Sequence, residues 1–480
     1  MFERELLKGF LFEKHGLKII AILGCILLAF LAVSGGVLPL IGFALIPFIF
    51  CFLLVCIKNP FISFLFLFTV CFFIMGILRY VSIPMPPSLV VDLVILFNFI
   101  VLALNHLYHN YNSKFKLPPF FYVSLCWTVY CLVEIFNPSG TFGNWLGTIR
   151  AIAIYIILFQ FLVYYIFKDV QKLRGFLIFW AVLVLLAALK AMGQKFIGMD
   201  TDEKIWLYTL GAHTHVIYSG IRYFSFFTDA ANFGCHMGLA MVVFSILFFY
   251  EKDKGVRFFY FIVAAFAMYG MLISGTRSAM AIPVAGYAFY IVLLKQWRLM
   301  VIGSILFVAV FCFLSLTTIG NSNADIRRMR TAFQFKEDAS FNLRKENQKK
   351  MKAFMGDYPI GLGLGAAKNA GEDDLLHGLP TDTSFVFIWV ETGVIGLVLY
   401  IFIWLCCLAL CFYFVWFKLK DPMIRGICSA AAAGIAGMLL AGYGNEVLHQ
   451  FPTGETIYIL MAIAMLCPYL DKNKQNGVIS

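Results

Sequence analysis

Four arginines mark places where apolar runs of this 480-residue chain meet polar ones. Arg150 opens one such run, Arg222 stands just ahead of FSFFTDAANFG, Arg277 sits inside SGTRS between two runs, and Arg344 lies in a long basic segment. At the centre of a membrane span an arginine costs roughly 2.5–3.5 kcal/mol, and less toward its ends, so each of these has to be compensated. Guanidinium groups converging on one point suit a phosphate or pyrophosphate, because the planar fork donates two parallel hydrogen bonds. The competing explanation is a nearby acid, such as Asp229 for Arg222, or a side chain that snorkels to the interface. SGTRS has no acid beside it, which makes Arg277 the firmest single member of the set.

A second group gathers where the chain returns to an apolar run: His377, Asp382, Thr383 and Ser384, with Glu391 nine residues beyond Asp382. A carboxylate held there acts as general base toward a hydroxyl once burial or a neighbour adjusts its pKa. Asp382 equally suits a helix cap, with Thr383 and Ser384 alongside, and His377 is the substitute base. His213 and His215 in GAHTHVIYSG are spaced like a metal pair but have no third ligand, so no metal is expected.

Between these groups the chain is charged in two blocks. From Arg327 to Lys352 nine Lys or Arg face three acids, and from Ala353 to Asp382 one Lys faces five acids, so a basic arm folds back on an acidic one. Ser340 is placed to cap a helix running to Lys352 or Phe354, which Gly356 would stop. On that helix Arg344, Gln348, Met351 and Met355 fall on one stripe, which points a cation and apolar groups toward the membrane. PIGLGLG cannot continue as a helix; its glycines allow close backbone approach and a turn toward the last long span.

The elements that position these residues must be membrane helices. With 62% hydrophobic and 13% charged residues and a mean hydropathy of +0.88, the chain has about half the charge of an ordinary soluble domain. Uninterrupted apolar runs without alternation exclude a barrel. Spans are expected near 18–34, 37–57, 60–78, 89–107, 119–136, 151–167, 175–192, 232–250, 258–274, 279–294, 299–316, 384–417, 426–443 and 454–470, about fourteen in all. This is an all-α integral membrane protein, read as one polytopic domain over 1–480.

The short loops KDVQKLR, EKDKGVR, KQWR and KLKDPMIR are basic and fall on one side, which is therefore cytoplasmic together with both termini. The large loop 319–382 then faces outside, with 137–150, 194–231, 274–278 and 442–455. The first helix is followed by a full span and shows no convincing cleavage site, so it is expected to be retained. The 13 cysteines lie within or at the ends of apolar runs without C-x-x-C spacing, which argues against a disulfide framework or structural zinc. About half of the formal charge of +11 is accounted for by the basic loops, and no nucleic-acid partner is expected.

In order, the chain has R-x-x-x-F leading to Asp-Ala-Ala-Asn-Phe-Gly (222–234), a span ending in SGTRS, an outer loop with Arg344 about fifteen residues before PIGLGLG, and then ETGVIGLVLYI. This order resembles the O-antigen ligase and O-antigen polymerase superfamily over residues 215–410. The resemblance implies a GT-C-like architecture and a metal-independent, inverting glycosyltransferase without cofactors at the periplasmic face of the bacterial inner membrane. Its donor would be a glycan on undecaprenyl pyrophosphate, and its acceptor a second glycan, lipid A core or a protein hydroxyl. Arg222 and Arg277 would hold the pyrophosphate, with Arg344 and Arg150 supporting. Ligases of this family carry His-Asn where this chain has Asp382-Thr383, which moves the expected base to Asp382. Trp145, Trp206, Tyr208, Tyr218, Tyr223 and Phe226 are candidates for stacking on sugars or for an interfacial belt. The alternative class is a transporter or flippase for a lipid-linked oligosaccharide, to which Glu391 inside its span would be equally suited.

Overall fold

The computed structural model describes residues 37–81, 85–109, 117–217, 220–317, 327, 330, 339–371 and 374–476. The span expected at 18–34, Tyr218, the side chain of Ser340 and most of the basic segment before it lie outside those residues.

Every other expected span coincides with a helix. In chain order these are α1 (Val37–Lys58), α2 (Pro60–Ile77), α3 (Pro87–His109), α4 (Pro119–Val133), α5 (Phe142–Ile149), which runs through a π-turn at Arg150–Ile154 into α6 (Tyr155–Ile166), and α7 (Val170–Phe196). Two short helices, α8 (Thr201–Trp206) and α9 (Ala212–His215), lead to a hairpin of β1 (Val216–Ile217) and β2 (Gly220–Ile221). There follow α10 (Ala230–Tyr250), α11 (Lys254–Ile273), α12 (Ala281–Leu293), α13 (Trp297–Leu316), α14 (Ala339–Met355), α15 (Ser384–Tyr413), α16 (Pro422–Ala441) and α17 (Thr453–Gln475). Among the described residues ten helices are long and apolar enough to cross a bilayer, and the chain is a multi-pass, all-α membrane protein.

The described chain packs as two compact units. One takes in residues up to Ser63 and Ile100–Tyr111; in it Asn105 Nδ2 donates to Ile57 O at 2.8 Å. The other comprises Phe64–Phe99 and the chain from Asn112 onward, and it contains the candidate residues Arg150, Arg222, Arg277, Arg344, His377 and Asp382.

Its centre is made by small residues. Helix α16 reads GICSAAAAGIAGMLLA, and a Cβ on Gly434 would fall 2.6 Å from Leu239, while one on Gly437 would fall 2.6 Å from Ile282 O. Without a hydrophobic force between helices in lipid, such close backbone approach is what holds α10, α12 and α16 together. At the periphery bulk replaces smallness: Phe64 and Phe68 meet Phe167 and Phe176 edge-on, with ring centres 5.1 Å apart in the closest pairs.

Helix α15 is broken. Gly393 has φ 67° and ψ −170°, a conformation open to glycine alone, so the helix stops after Thr392 and restarts. PIGLGLG repairs the break: Leu362 N–H donates to Val390 O at 2.9 Å, Gly363 N–H to Glu391 O at 3.0 Å, and Val394 N–H to Pro359 O at 3.1 Å. Tyr130 Oη donates to the remaining Thr392 carbonyl at 2.8 Å. A Cβ on Gly361 would lie 2.5 Å from Glu391 O, which explains the glycine there.

Candidate functional site

The turn between α11 and α12, residues 274–278, is the point on which the site is assembled. Gly275, at φ 62°, lets the chain reverse between two membrane helices. Gly234 of α10 lies so close that a Cβ would stand 2.2 Å from Ser274 Oγ, so glycine in DAANFG is what admits the turn.

Arg222 clasps this turn from outside. Its Nε donates to Ser274 O at 3.2 Å, Nη1 to Thr214 O at 2.9 Å and Nη2 to Thr276 Oγ1 at 2.8 Å. The Thr276 hydroxyl in turn donates a hydrogen bond to Ala230 O at 2.8 Å. Three of the five guanidinium N–H groups are thereby used, one on each of the three nitrogens. The β1–β2 hairpin delivers Arg222, whose amide donates to His215 O at 2.9 Å.

His215 is a structural residue. Its Nε2 accepts from Ala230 N–H at 3.1 Å, so the proton sits on Nδ1, 3.0 Å from Gly211 O, and burial pushes the imidazole down to about 4. Asp229 does not pair with Arg222 as its proximity in sequence invites; its carboxylate caps α10, accepting from Ala231 and Asn232 at 2.6 and 2.9 Å.

Arg344 reaches the other side of the turn through an intermediary. Its Nη2 donates to Asn445 Oδ1 at 3.4 Å, and Asn445 Nδ2 donates to Ser278 Oγ, next to Arg277. The charges of Arg277 and Arg344 both act on Arg222, adding to the burial that chiefly lowers its pKa, against the opposing pull of Asp229. Arg222 directly and Arg344 through Asn445 thus bear on one turn, the turn that carries Arg277. Arg150 is not among them: at the π-turn between α5 and α6 it pairs with Asp92 at 2.5 Å, and Tyr155 Oη holds the other Asp92 oxygen at 2.7 Å.

The apolar stripe of α14 covers protein rather than lipid, because Met351 and Met355 pack on Leu362, Leu376, Val386 and Val390. That packing turns Arg344 and Asn347, one helical turn apart, to the site. Asn347 Nδ2 donates to Asp382 Oδ2 at 3.3 Å.

Asp382 stands at φ 56°, one of two non-glycine residues with positive φ among those described. The helix cap expected of it falls to Thr383, whose Oγ1 accepts from Val386 N–H at 3.1 Å. A shift of one residue therefore separates the cap from the carboxylate and leaves the carboxylate free of that duty. His377 lies exposed in a turn, its amide on Asp374 O at 2.9 Å. Glu391 is fully buried behind PIGLGLG beside the break in α15, with neither oxygen in a full hydrogen bond.

Sequence reasoning missed Arg79, just past α2. Its guanidinium lies between the Trp206 and Phe224 rings, at 4.4 and 4.3 Å, and donates to Ser225 O at 2.6 Å and to Phe227 O. It fastens the loop that follows Arg222, and occupies Trp206, one of the expected sugar-stacking aromatics. An arginine directly after an apolar run was the available signal.

Residues 259–401 match the family model described as O-antigen ligase, a stretch that contains Arg277, Arg344, His377 and Asp382. Among curated proteins an O-antigen polymerase of Salmonella muenchen is 26% identical over 188 residues, covering 36% of this chain and 43% of that protein. The match thus spans less than half the length of that relative. Over that segment the chain is similar to O-antigen ligases, and to this O-antigen polymerase over a little more than a third of its length.

Proposed function

We propose that this protein is a glycosyltransferase of the inner membrane that polymerises or ligates glycans carried on undecaprenyl pyrophosphate, working at the periplasmic face. Arg222, Arg277 and Arg344 hold the diphosphate, Asp382 accepts the proton of the acceptor hydroxyl, and that oxygen displaces the diphosphate from the anomeric carbon with inversion. The single observation that carries this reading is that Arg222 and, through Asn445, Arg344 are both anchored on the turn that carries Arg277, with Arg344 and the Asp382 partner Asn347 on the same helix. Diphosphate leaves readily once its developing charge meets fixed donors, and preorganised donors need no reorganisation during the reaction. The acceptor is another lipid-linked repeat, lipid A core or a protein hydroxyl. The loop 319–382 and both termini follow the sidedness of the basic loops, outside and cytoplasmic respectively.

The test is Arg277→Ala in a strain whose surface glycan depends on this protein. Long glycan chains disappear while the protein remains at wild-type level in the membrane; unchanged chains refute the assignment. The broken helix α15, with Glu391 buried at the break, is also a feature of transporters. If lipid-linked glycan accumulates on the cytoplasmic side in the Arg277→Ala strain, the flippase reading replaces the enzymatic one.

A further inference from the structure

Residues 442–446 of GYGNEVLHQF connect the arginine turn, the Arg344 helix and the entry to α15. Asn445 accepts from Arg344 and donates to Ser278 beside Arg277, and its carbonyl accepts from Ser384 Oγ at 3.1 Å at the head of α15. Glu446 holds Lys368 at 2.5 Å with one oxygen and accepts from Thr381 Oγ1 at 3.1 Å with the other. Gly444 lies on the arginine turn so closely that a Cβ would stand 2.6 Å from that of Ser278. The dipeptide therefore faces the cations through one residue and the flank of Asp382 through the next.

Asp382 is held in its left-handed conformation from both sides. Thr383 is committed to capping α15, and Thr381 is committed to Glu446. A conformation that an aspartate adopts only under constraint persists here because both neighbours are tied. We infer that Asn445-Glu446 is the positioning element that sets the Asp382 carboxylate against the arginine cluster, Glu446 acting through Thr381. This inference rests on the reading of Asp382 as the base.

Without Glu446 the Thr381 hydroxyl loses its partner, residue 382 relaxes to an ordinary conformation, and the carboxylate moves off its line to the acceptor. Misplacement of a reacting group by about 1 Å lowers rate by about 100-fold. The experiment uses the full chain in nanodiscs with lipid-linked glycan extracted from the host strain as donor. Glu446→Ala should lower kcat about 10–100-fold with KM for the donor within about twofold, because the arginines are untouched. Thr381→Val, which removes the same hydrogen bond from the opposite end, should reproduce that loss, and Thr381→Ser should restore the rate. In an Asp382→Asn background Glu446→Ala should cause no further loss. Binding of sugar-free undecaprenyl pyrophosphate serves as the folding control and should match wild type. Wild-type kcat in both Glu446→Ala and Thr381→Val, with Asp382→Asn inactive, overturns the positioning role alone. An Asp382→Asn protein that turns over normally removes the base assignment and this inference with it.

Discussion

Arg222→Lys keeps the charge at the site and removes only its geometry, so it isolates what the fork contributes. The guanidinium makes three hydrogen bonds of 3.2, 2.9 and 2.8 Å to Ser274 O, Thr214 O and Thr276 Oγ1. A hydrogen bond from a charged donor contributes about 1.5–3 kcal/mol, and a lysine ammonium at this place can keep one of the three, so roughly 3–6 kcal/mol of local support for the turn is lost. The two N–H groups not used in those bonds, which the proposed reading assigns to the diphosphate, go as well, and loss of one oxyanion donor lowers turnover about 100–1,000-fold. The expected result, in nanodiscs with lipid-linked glycan and product length read on a gel, is a turnover lowered by about that factor with the protein still membrane-inserted. Arg150→Lys is the internal control. Arg150 is tied to Asp92 by one ionic bond and its Nε is buried without a partner, so an ammonium can replace it with little loss. Equal loss in the two variants, or wild-type turnover in Arg222→Lys, refutes the argument from fork geometry.

Two further outcomes concern stability. His215 has its pKa pushed down to about 4 by burial, whereas an unfolded histidine titrates near 6.5, so the unfolded chain takes up the proton first as pH falls. Its contribution is complete above about pH 6.5 and is lost as pH falls toward 4, by at most roughly 3 kcal/mol. Thermal unfolding followed from pH 7 to pH 4.5 should show a smaller drop in Tm for His215→Gln than for wild type; parallel slopes would contradict the lowered pKa of the buried imidazole. Gly393→Ala places a Cβ 2.0 Å from Pro359 O at a backbone angle reserved for glycine, and should lower stability by roughly 3 kcal/mol or more. Gly356→Ala, where a Cβ meets nothing within 4 Å, should unfold at nearly the wild-type temperature in the same detergent assay.

The apolar spans from residue 37 onward were legible because hydropathy acts locally: a run of about twenty apolar residues in lipid can satisfy its backbone only as a helix. The end of α14 was legible for a different local reason, because Gly356 stops a helix that contains no apolar run. The arginines could be named as candidates because a charge next to an apolar run is conspicuous in one dimension. Which of them meet could not. Arg150 finds Asp92 58 positions away and leaves the cluster, while Arg344 reaches the arginine turn only through Asn445, 101 positions on. The cap offered to Asp382 fell to Thr383, one residue on, a distinction set by the backbone angle at 382. Composition and periodicity thus determined that the chain is a bundle of membrane helices, since burial in lipid is a property of each segment alone. The tertiary structure decided the site, since a hydrogen bond depends on angle and distance between groups that the chain brings together only by folding.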